Sequence, residues 1–185
     1  MAVLADAGLT PEDHLLDIGC GALRLGHLAM PFLRPGHYWG TDASLALMRH
    51  GREVELADPD RLPVDHLVQD RDFAFPGVPD RITLAIAFGV FTHLPAPALS
   101  QALTGLWPRF PRLRACLFTV FLAPDPRQST RQPDGVVTHA DRPPYHVTEA
   151  SVVAAIQAAG LVPTRKPTLL PRGQVLWIAT PPQMP

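Results

Sequence analysis

From residue 14 onward, apolar runs of strand length alternate with stretches of helical period, the sequence form of an α/β fold in which helices cover both faces of a parallel sheet. His14 to Ile18 reads as the first strand, delivered by the turn residues Pro11-Glu12-Asp13 and stopped by Gly19. The helix after it is expected to bury Leu25, Leu28, Ala29 and Phe32, against the objection that Pro31 removes a helix donor. His37 to Thr41 gives a second strand ending at Asp42, and Ser44 to about Leu56 a second helix interrupted by Gly51.

Val64 to Gln69 makes a short third strand, and Ile82 to Phe88 is apolar enough to be a central strand buried on both faces. The next helix is expected to bury Leu99, Ala102, Leu103 and Leu106, with Pro95 and Pro97 accommodated at its start. Ala115 to Leu122 supplies a fifth strand. Residues 123–146, with five prolines and no sustained period, read as a long lid-like loop. Thr148 is placed to cap a helix with Val152, Val153, Ile156 and Ala159 on one face, closed by Gly160. Two terminal strands, roughly Leu161 to Leu169 and Gln174 to Thr180, form an antiparallel hairpin at the sheet edge through Pro171-Arg172-Gly173.

The 185 residues, 46% of them hydrophobic and 18% charged, suit a single domain over 1–185 with a sizeable core. The formal charge of −1 leaves no global basic field to hold a polyanion, so nucleic acid is not an expected partner. Cys20 and Cys116, far apart and in no C-x-x-C pair, point to a reducing, cytoplasmic setting. The longest apolar stretch, Ile82 to Val90, is about half of what a membrane span needs, and Met1 to Leu9 lacks a basic start followed by a long apolar run, so neither membrane nor secretory signal is expected.

The chemistry concentrates in Asp17-Ile18-Gly19-Cys20-Gly21-Ala22-Leu23-Arg24, a glycine-rich turn at the carboxyl end of the first strand, where open α/β sheets bind ligands. A dinucleotide fingerprint carries a third glycine where Arg24 stands, which argues against a nicotinamide-dependent oxidoreductase. A turn that only needs small residues is the plainer reading of the segment. Asp42 ends the second strand about twenty residues further on, where a carboxylate accepts hydrogen bonds from both ribose hydroxyls.

On these residues the chain resembles the class I S-adenosylmethionine-dependent methyltransferases. Leu16-Asp17-Ile18-Gly19-Cys20-Gly21 is similar to their glycine-rich first motif and Gly40-Thr41-Asp42-Ala43-Ser44 to their acidic second one. Looser matches follow in order: Asp72-Phe73, Ala87 to Leu94, and Pro171-Arg172-Gly173-Gln174. The resemblance covers about residues 8–180. It implies a Rossmann-like methyltransferase fold, with a mostly parallel seven-stranded sheet and a C-terminal antiparallel hairpin, and S-adenosyl-L-methionine as cofactor.

By the same resemblance Asp17, Gly19, Cys20 and Gly21 shape the methionine pocket, and Asp42 with Ala43 holds the ribose. Asp72 and Phe73 contact adenine, with Asp70 a competing choice. Phe88 and Gly89 run beneath the cofactor. Arg24 reaches the cofactor carboxylate in one reading and makes a surface salt bridge in the other.

Methyl transfer asks mainly for positioning, with a general base where the acceptor is a hydroxyl or protonated amine. His93, His139, Tyr145 and His146 are the candidates, against a helix-capping role for His93. Phe91 reads first as core and second as a ring facing a cation. The two nearest histidines at the loop, His139 and His146, are seven residues apart and no metal-ligand spacing exists, so no metal is expected. Arg109, Arg112 and Arg114 read as a solvated face.

Only thirteen residues precede His14, so acceptor recognition is expected from the loop at 123–146, aided by a second subunit or another partner. Phe88-Gly89-Val90-Phe91 stands where an amino-DNA methyltransferase would carry an Asp or Asn, two prolines and an aromatic, which leaves a small-molecule acceptor as the expectation. The competing function is a regulatory module that binds the nucleoside without turnover.

Overall fold

The computed structural model describes residues 1–182. The chain divides into two compact units, one of Met1–Ile86 with Arg109–Leu113, the other of Ala87–Pro108 with the chain from Arg114 onward.

The first unit opens with a five-residue helix that the apolar pattern did not announce, α1 (Ala2–Asp6), whose Leu4 is fully buried. β1 (Leu15–Ile18), β2 (Tyr38–Asp42), β3 (Leu67–Gln69) and β4 (Leu84–Ala87) follow. They pair in the order β3-β2-β1-β4, every pair parallel, with Asp17 opposite Gly40 on one side and Ile86 on the other. All four residues of β1 and of β4 are buried, as continuous apolar strands of a parallel sheet require.

Two elements differ from expectation. The helix after β1 is a single turn, α2 (Gly26–Ala29), and the chain buries Leu23, Ala29, Met30 and Leu33 while Leu28 and Phe32 stand 48% and 43% exposed. Pro31 has no N–H to extend the helix, and that outweighs the apolar period. β3 begins at Leu67, because Pro63 leads into a one-turn 3-10 helix (Val64–His66) that leaves Val64 exposed.

α3 (Leu45–Val54) starts where Ser44 caps it, its hydroxyl accepting the Leu47 amide at 3.2 Å. Gly51 is the point at which α3 meets the glycine-rich turn, since a Cβ there would lie 2.4 Å from the Ala22 carbonyl group.

The amino ends of three adjacent strands carry imidazoles. His14 precedes β1 and stacks on His37 before β2 at 3.9 Å between ring centroids, and His66 before β3 stacks on Trp39 at 3.7 Å. Burial, then the neighbouring His37 and Arg81, lower the His14 pKa to about 4.

The second unit contains α4 (Pro97–Arg109, its last residue excepted), with Leu99, Ala102, Leu103 and Leu106 buried as the spacing demands. β5 (Ala115–Leu122) follows it. The stretch 123–146 is more ordered than its proline content implies. A hairpin of β6 (Thr130–Arg131) and β7 (Val137–Thr138) turns through Asp134-Gly135 with Gly135 at φ 91°, and β8 (His146–Val147) runs parallel to β5.

α5 (Glu149–Ala158), β9 (Val162–Leu169) and β10 (Val175–Thr180) complete this unit. Thr148 caps α5, Gly160 follows it at φ 75°, and Val152 and Ile156 are buried. β10 pairs antiparallel with both β5 and β9, so the expected terminal hairpin is present with β9 outermost. Burying side chains such as Phe118 and Trp177 contributes about 1.5–3 kcal/mol each. The mixed α/β order, the mostly parallel strands and the C-terminal antiparallel strands agree with the fold class read from sequence.

Candidate functional site

In the first unit the glycine-rich turn rests on two positive-φ glycines, Gly19 at 67° and Gly21 at 54°, a region that costs other residues about 1–2 kcal/mol. The amides of Gly19 and Cys20 both donate to the Thr41 carbonyl, at 2.7 and 3.0 Å, tying the turn to the end of β2. The next residue there is Asp42. Its Oδ2 accepts the Gly21 N–H at 3.0 Å and its Oδ1 the Ser44 N–H at 2.8 Å. Each oxygen uses one acceptor site on the backbone and keeps another, and the side chain is half-buried. A Cβ on Gly21 would meet only Leu47, at 3.9 Å.

Asp17 is 3% exposed and accepts the Tyr38 hydroxyl at 2.7 Å. Burial raises its pKa to about 7, the Tyr38 hydrogen bond opposes the rise, and the Asp42 charge adds to it. Cys20 is also buried. Its Sγ fills the space a side chain at Gly40 would take, 2.8 Å from such a Cβ, and burial together with Asp17 and Asp42 pushes its thiol well above the ordinary range. Arg24 and Ala43 are exposed.

After β3 the chain is shaped by Asp70. One oxygen accepts the amides of Asp72 and Ala74 at 3.2 Å each, the other that of Phe75 at 2.9 Å, and the Asp70 amide donates to the Asp42 carbonyl at 3.0 Å. That belt holds Phe73 and Phe75 at φ 60° and 52°, a conformation bulky residues avoid unless their surroundings impose it. Asp70 is thus engaged by its own loop, Asp72 is exposed, and Phe73 is half-buried.

In the second unit Phe88 is 42% exposed, and Gly89 sits at φ 75° with open space beside it, since a Cβ there would meet no atom within 4 Å. The Gly89 amide donates to Thr119 Oγ1 at 2.8 Å, and that hydroxyl donates to Gln174 Oε1 at 2.6 Å. Thr92 Oγ1 donates to the Gly89 carbonyl at 2.9 Å, and the Tyr145 amide to the Thr92 carbonyl at 2.7 Å. This chain of bonds links Gly89 with Tyr145, two residues singled out separately in the sequence.

The histidine candidates are not equivalent. His93 is exposed, and half-buried His139 shares a 2.7 Å hydrogen bond with Ser129. His146 is 3% exposed, with Nδ1 2.9 Å from Thr138 Oγ1. Because Thr138 donates to the Thr130 carbonyl at 3.1 Å and accepts from Gln132 Nε2 at 3.0 Å, its hydroxyl accepts from His146. Nδ1 therefore carries a proton, and Nε2 is buried with no hydrogen-bond partner among the described residues. Among those residues no three His, Cys, Asp or Glu side chains are gathered to hold a metal ion, and no helix is long and apolar enough to cross a membrane.

Tyr38, Thr92, Thr119, Thr138 and Gln132 escaped the sequence reading. Buried threonines and a tyrosine at a strand start read as core, and only the strand pairing shows which polar atoms meet.

No protein-family model matches the chain, and no curated protein matches it in sequence. Solved structures match it in fold. Magnesium protoporphyrin IX methyltransferase (ChlM) from Synechocystis PCC 6803 with bound SAM is 18% identical with a TM-score of 0.66, the match covering 98% of this chain and 76% of that one. DesVI from Streptomyces venezuelae is 19% identical with a TM-score of 0.66, covering 98% and 90%. The glycopeptide N-methyltransferase MtfA complexed with S-adenosyl-L-homocysteine is 15% identical with a TM-score of 0.67, covering 98% and 85%. At such identities the likeness is one of architecture: this chain has the Rossmann-like fold of S-adenosylmethionine-dependent methyltransferases.

Proposed function

We propose that the protein is an S-adenosylmethionine-dependent methyltransferase acting on a small-molecule acceptor. The observation that carries the reading is Asp42, a carboxylate fixed by two backbone N–H groups at the carboxyl end of β2, keeping acceptor sites for a ribose diol beside an open glycine turn. These residues fit the cofactor: the turn at Gly19 to Gly21 leaves room for close backbone approach, Asp42 would take the ribose, and Asp72 with Phe73 the adenine. Bound S-adenosylmethionine supplies a methyl group already activated on a sulfonium.

The protein's part is to orient the acceptor and exclude water. For a proton that must leave the acceptor, Tyr145 and His139 are half-buried polar groups, whereas His146 keeps its unpartnered Nε2 below the surface. The match to structures whose names include a glycopeptide N-methyltransferase and a magnesium protoporphyrin IX methyltransferase supports methyl transfer to a small molecule. Two buried, unpaired thiols favour a cytoplasmic setting, and a second copy or another partner is the proposed source of any acceptor contacts the chain lacks.

Calorimetric titration with S-adenosylmethionine and S-adenosylhomocysteine, with a nicotinamide dinucleotide as control, tests this. Micromolar binding of the first two, weakened about tenfold to a hundredfold in Asp42→Ala, is expected. Absence of binding to either sulfur nucleoside would overturn the reading.

A further inference from the structure

The buried polar cluster at the root of the glycine turn is not accounted for by binding alone. Asp17 on β1 is opposite Gly40 on β2, and Tyr38, two residues earlier on the same face of β2, reaches diagonally across to donate to Asp17 Oδ2 at 2.7 Å. Tyr38 is 2% exposed, and the lack of a side chain at Gly26 makes room for it, since a Cβ there would lie 2.8 Å from its hydroxyl oxygen.

The titratable groups that face Asp17 are Tyr38 and Asp42 from β2 and Cys20 from the turn; β4 presents Ile86. No cation is among them. A buried carboxyl in that company keeps its proton up to a pKa of about 7, and a positive charge brought beside it would favour the anion.

We infer that Tyr38 is a positioning residue for the ligand site, holding Asp17 as a proton-carrying pair that releases its proton when S-adenosylmethionine binds. This rests on the methyltransferase reading. With a ligand that carries positive charge seated at the turn, the Asp17 anion would be favoured: its O–H bond would break and the proton would pass to solvent, while the Tyr38 hydroxyl would stay on as donor to the carboxylate. Binding therefore tightens as pH rises, by up to about tenfold per pH unit below the Asp17 midpoint.

The experiment is S-adenosylmethionine titration of the full chain between pH 5.5 and pH 8.5 in buffers of different ionisation enthalpy, beside a carboxyl-carbon NMR titration of the free protein over about the same pH range. Wild type is expected to release a fraction of a proton near pH 7 and to show a carboxyl titrating there. Tyr38→Phe removes the bond that favours the anion, so its midpoint moves up by about one pH unit with release retained. Asp17→Asn abolishes the release.

A purely structural tyrosine would lower affinity without moving the midpoint, and that result overturns the inference, as does binding in wild type with no proton release. Failure of S-adenosylmethionine to bind at any pH overturns the methyltransferase reading itself and the coupling with it.

Discussion

The carboxylate of Asp42 and the amide of Gly21 are 3.0 Å apart although twenty-one residues separate them, so the end of one strand fixes the turn that follows its neighbour. Asp42→Asn keeps the shape but supplies one acceptor oxygen for two backbone amides and, on the proposed reading, for the two ribose hydroxyls as well. Affinity for S-adenosylhomocysteine is expected to fall about tenfold or more, with a stability loss of about 1 kcal/mol, measurable by calorimetry and thermal melts.

Gly51 admits no side chain, because its Cβ would lie 2.4 Å from backbone atoms of Ala22. Gly51→Ala would ordinarily help a helix; here α3 must back away from the glycine turn. A loss of about 1–3 kcal/mol is the expected outcome, seen as a melting temperature lower by several degrees together with weaker S-adenosylhomocysteine binding. An unchanged melting temperature would show that the turn yields freely.

Half-buried His14 and buried Asp17 tilt stability with pH in opposite directions. His14, lowered from 6.5 to about 4, leaves the unfolded chain holding the extra proton between those values, so its contribution is complete above pH 6.5 and is lost as pH falls to about 4. Asp17, raised from 3.8 to about 7, does the reverse: its contribution is complete below pH 3.8 and is lost as pH rises to about 7. Urea midpoints across pH 4 to 6.5 should therefore climb more steeply with pH in Asp17→Asn than in wild type, and less steeply in His14→Phe. Parallel slopes in all three proteins would refute the assignment.

Thr138 satisfies Gln132 and His146 and is itself fully buried. Thr138→Val leaves buried His146 Nδ1 unpaired, at about 1–3 kcal/mol, and takes one of two acceptors from Gln132 Nε2, which keeps the Leu122 carbonyl, while Thr138→Ser should hold stability near wild type. Nitrogen NMR of wild-type His146 is expected to show the Nδ1–H tautomer; the Nε2–H form would contradict the hydrogen-bond directions around Thr138.

Strands and helices whose burial follows a simple period were legible in the sequence. Ala115 to Leu122 is β5 to the residue, and Leu99, Ala102, Leu103 and Leu106 are the buried face of α4. Local backbone chemistry defeated periodicity elsewhere: Pro31 cut α2 to one turn, and Asp134-Gly135, a hairpin signal in its own right, ordered a stretch that its prolines made look irregular. Gly19, Gly21 and Asp42 announced themselves because turn geometry and strand ends are local properties. Tyr38 did not, since its bond to Asp17 exists only in the β1–β2 register, and neither did the Gly89, Thr119 and Gln174 chain, whose members are brought together by tertiary folding.

The imidazoles before β1, β2 and β3 give the first sheet a chemical polarity along its strands. Asp17 and Asp42 lie toward the strand ends, while the imidazoles stand where the strands begin, with Asp13 beside them; the charges that act on His14 come from His37, Arg81, Asp13 and His66, while Asp42 acts on Asp17. The strands between are apolar and buried. With that apolar layer between them, substitutions at His37 or His66 are expected to move the His14 midpoint and to leave that of Asp17 where it is.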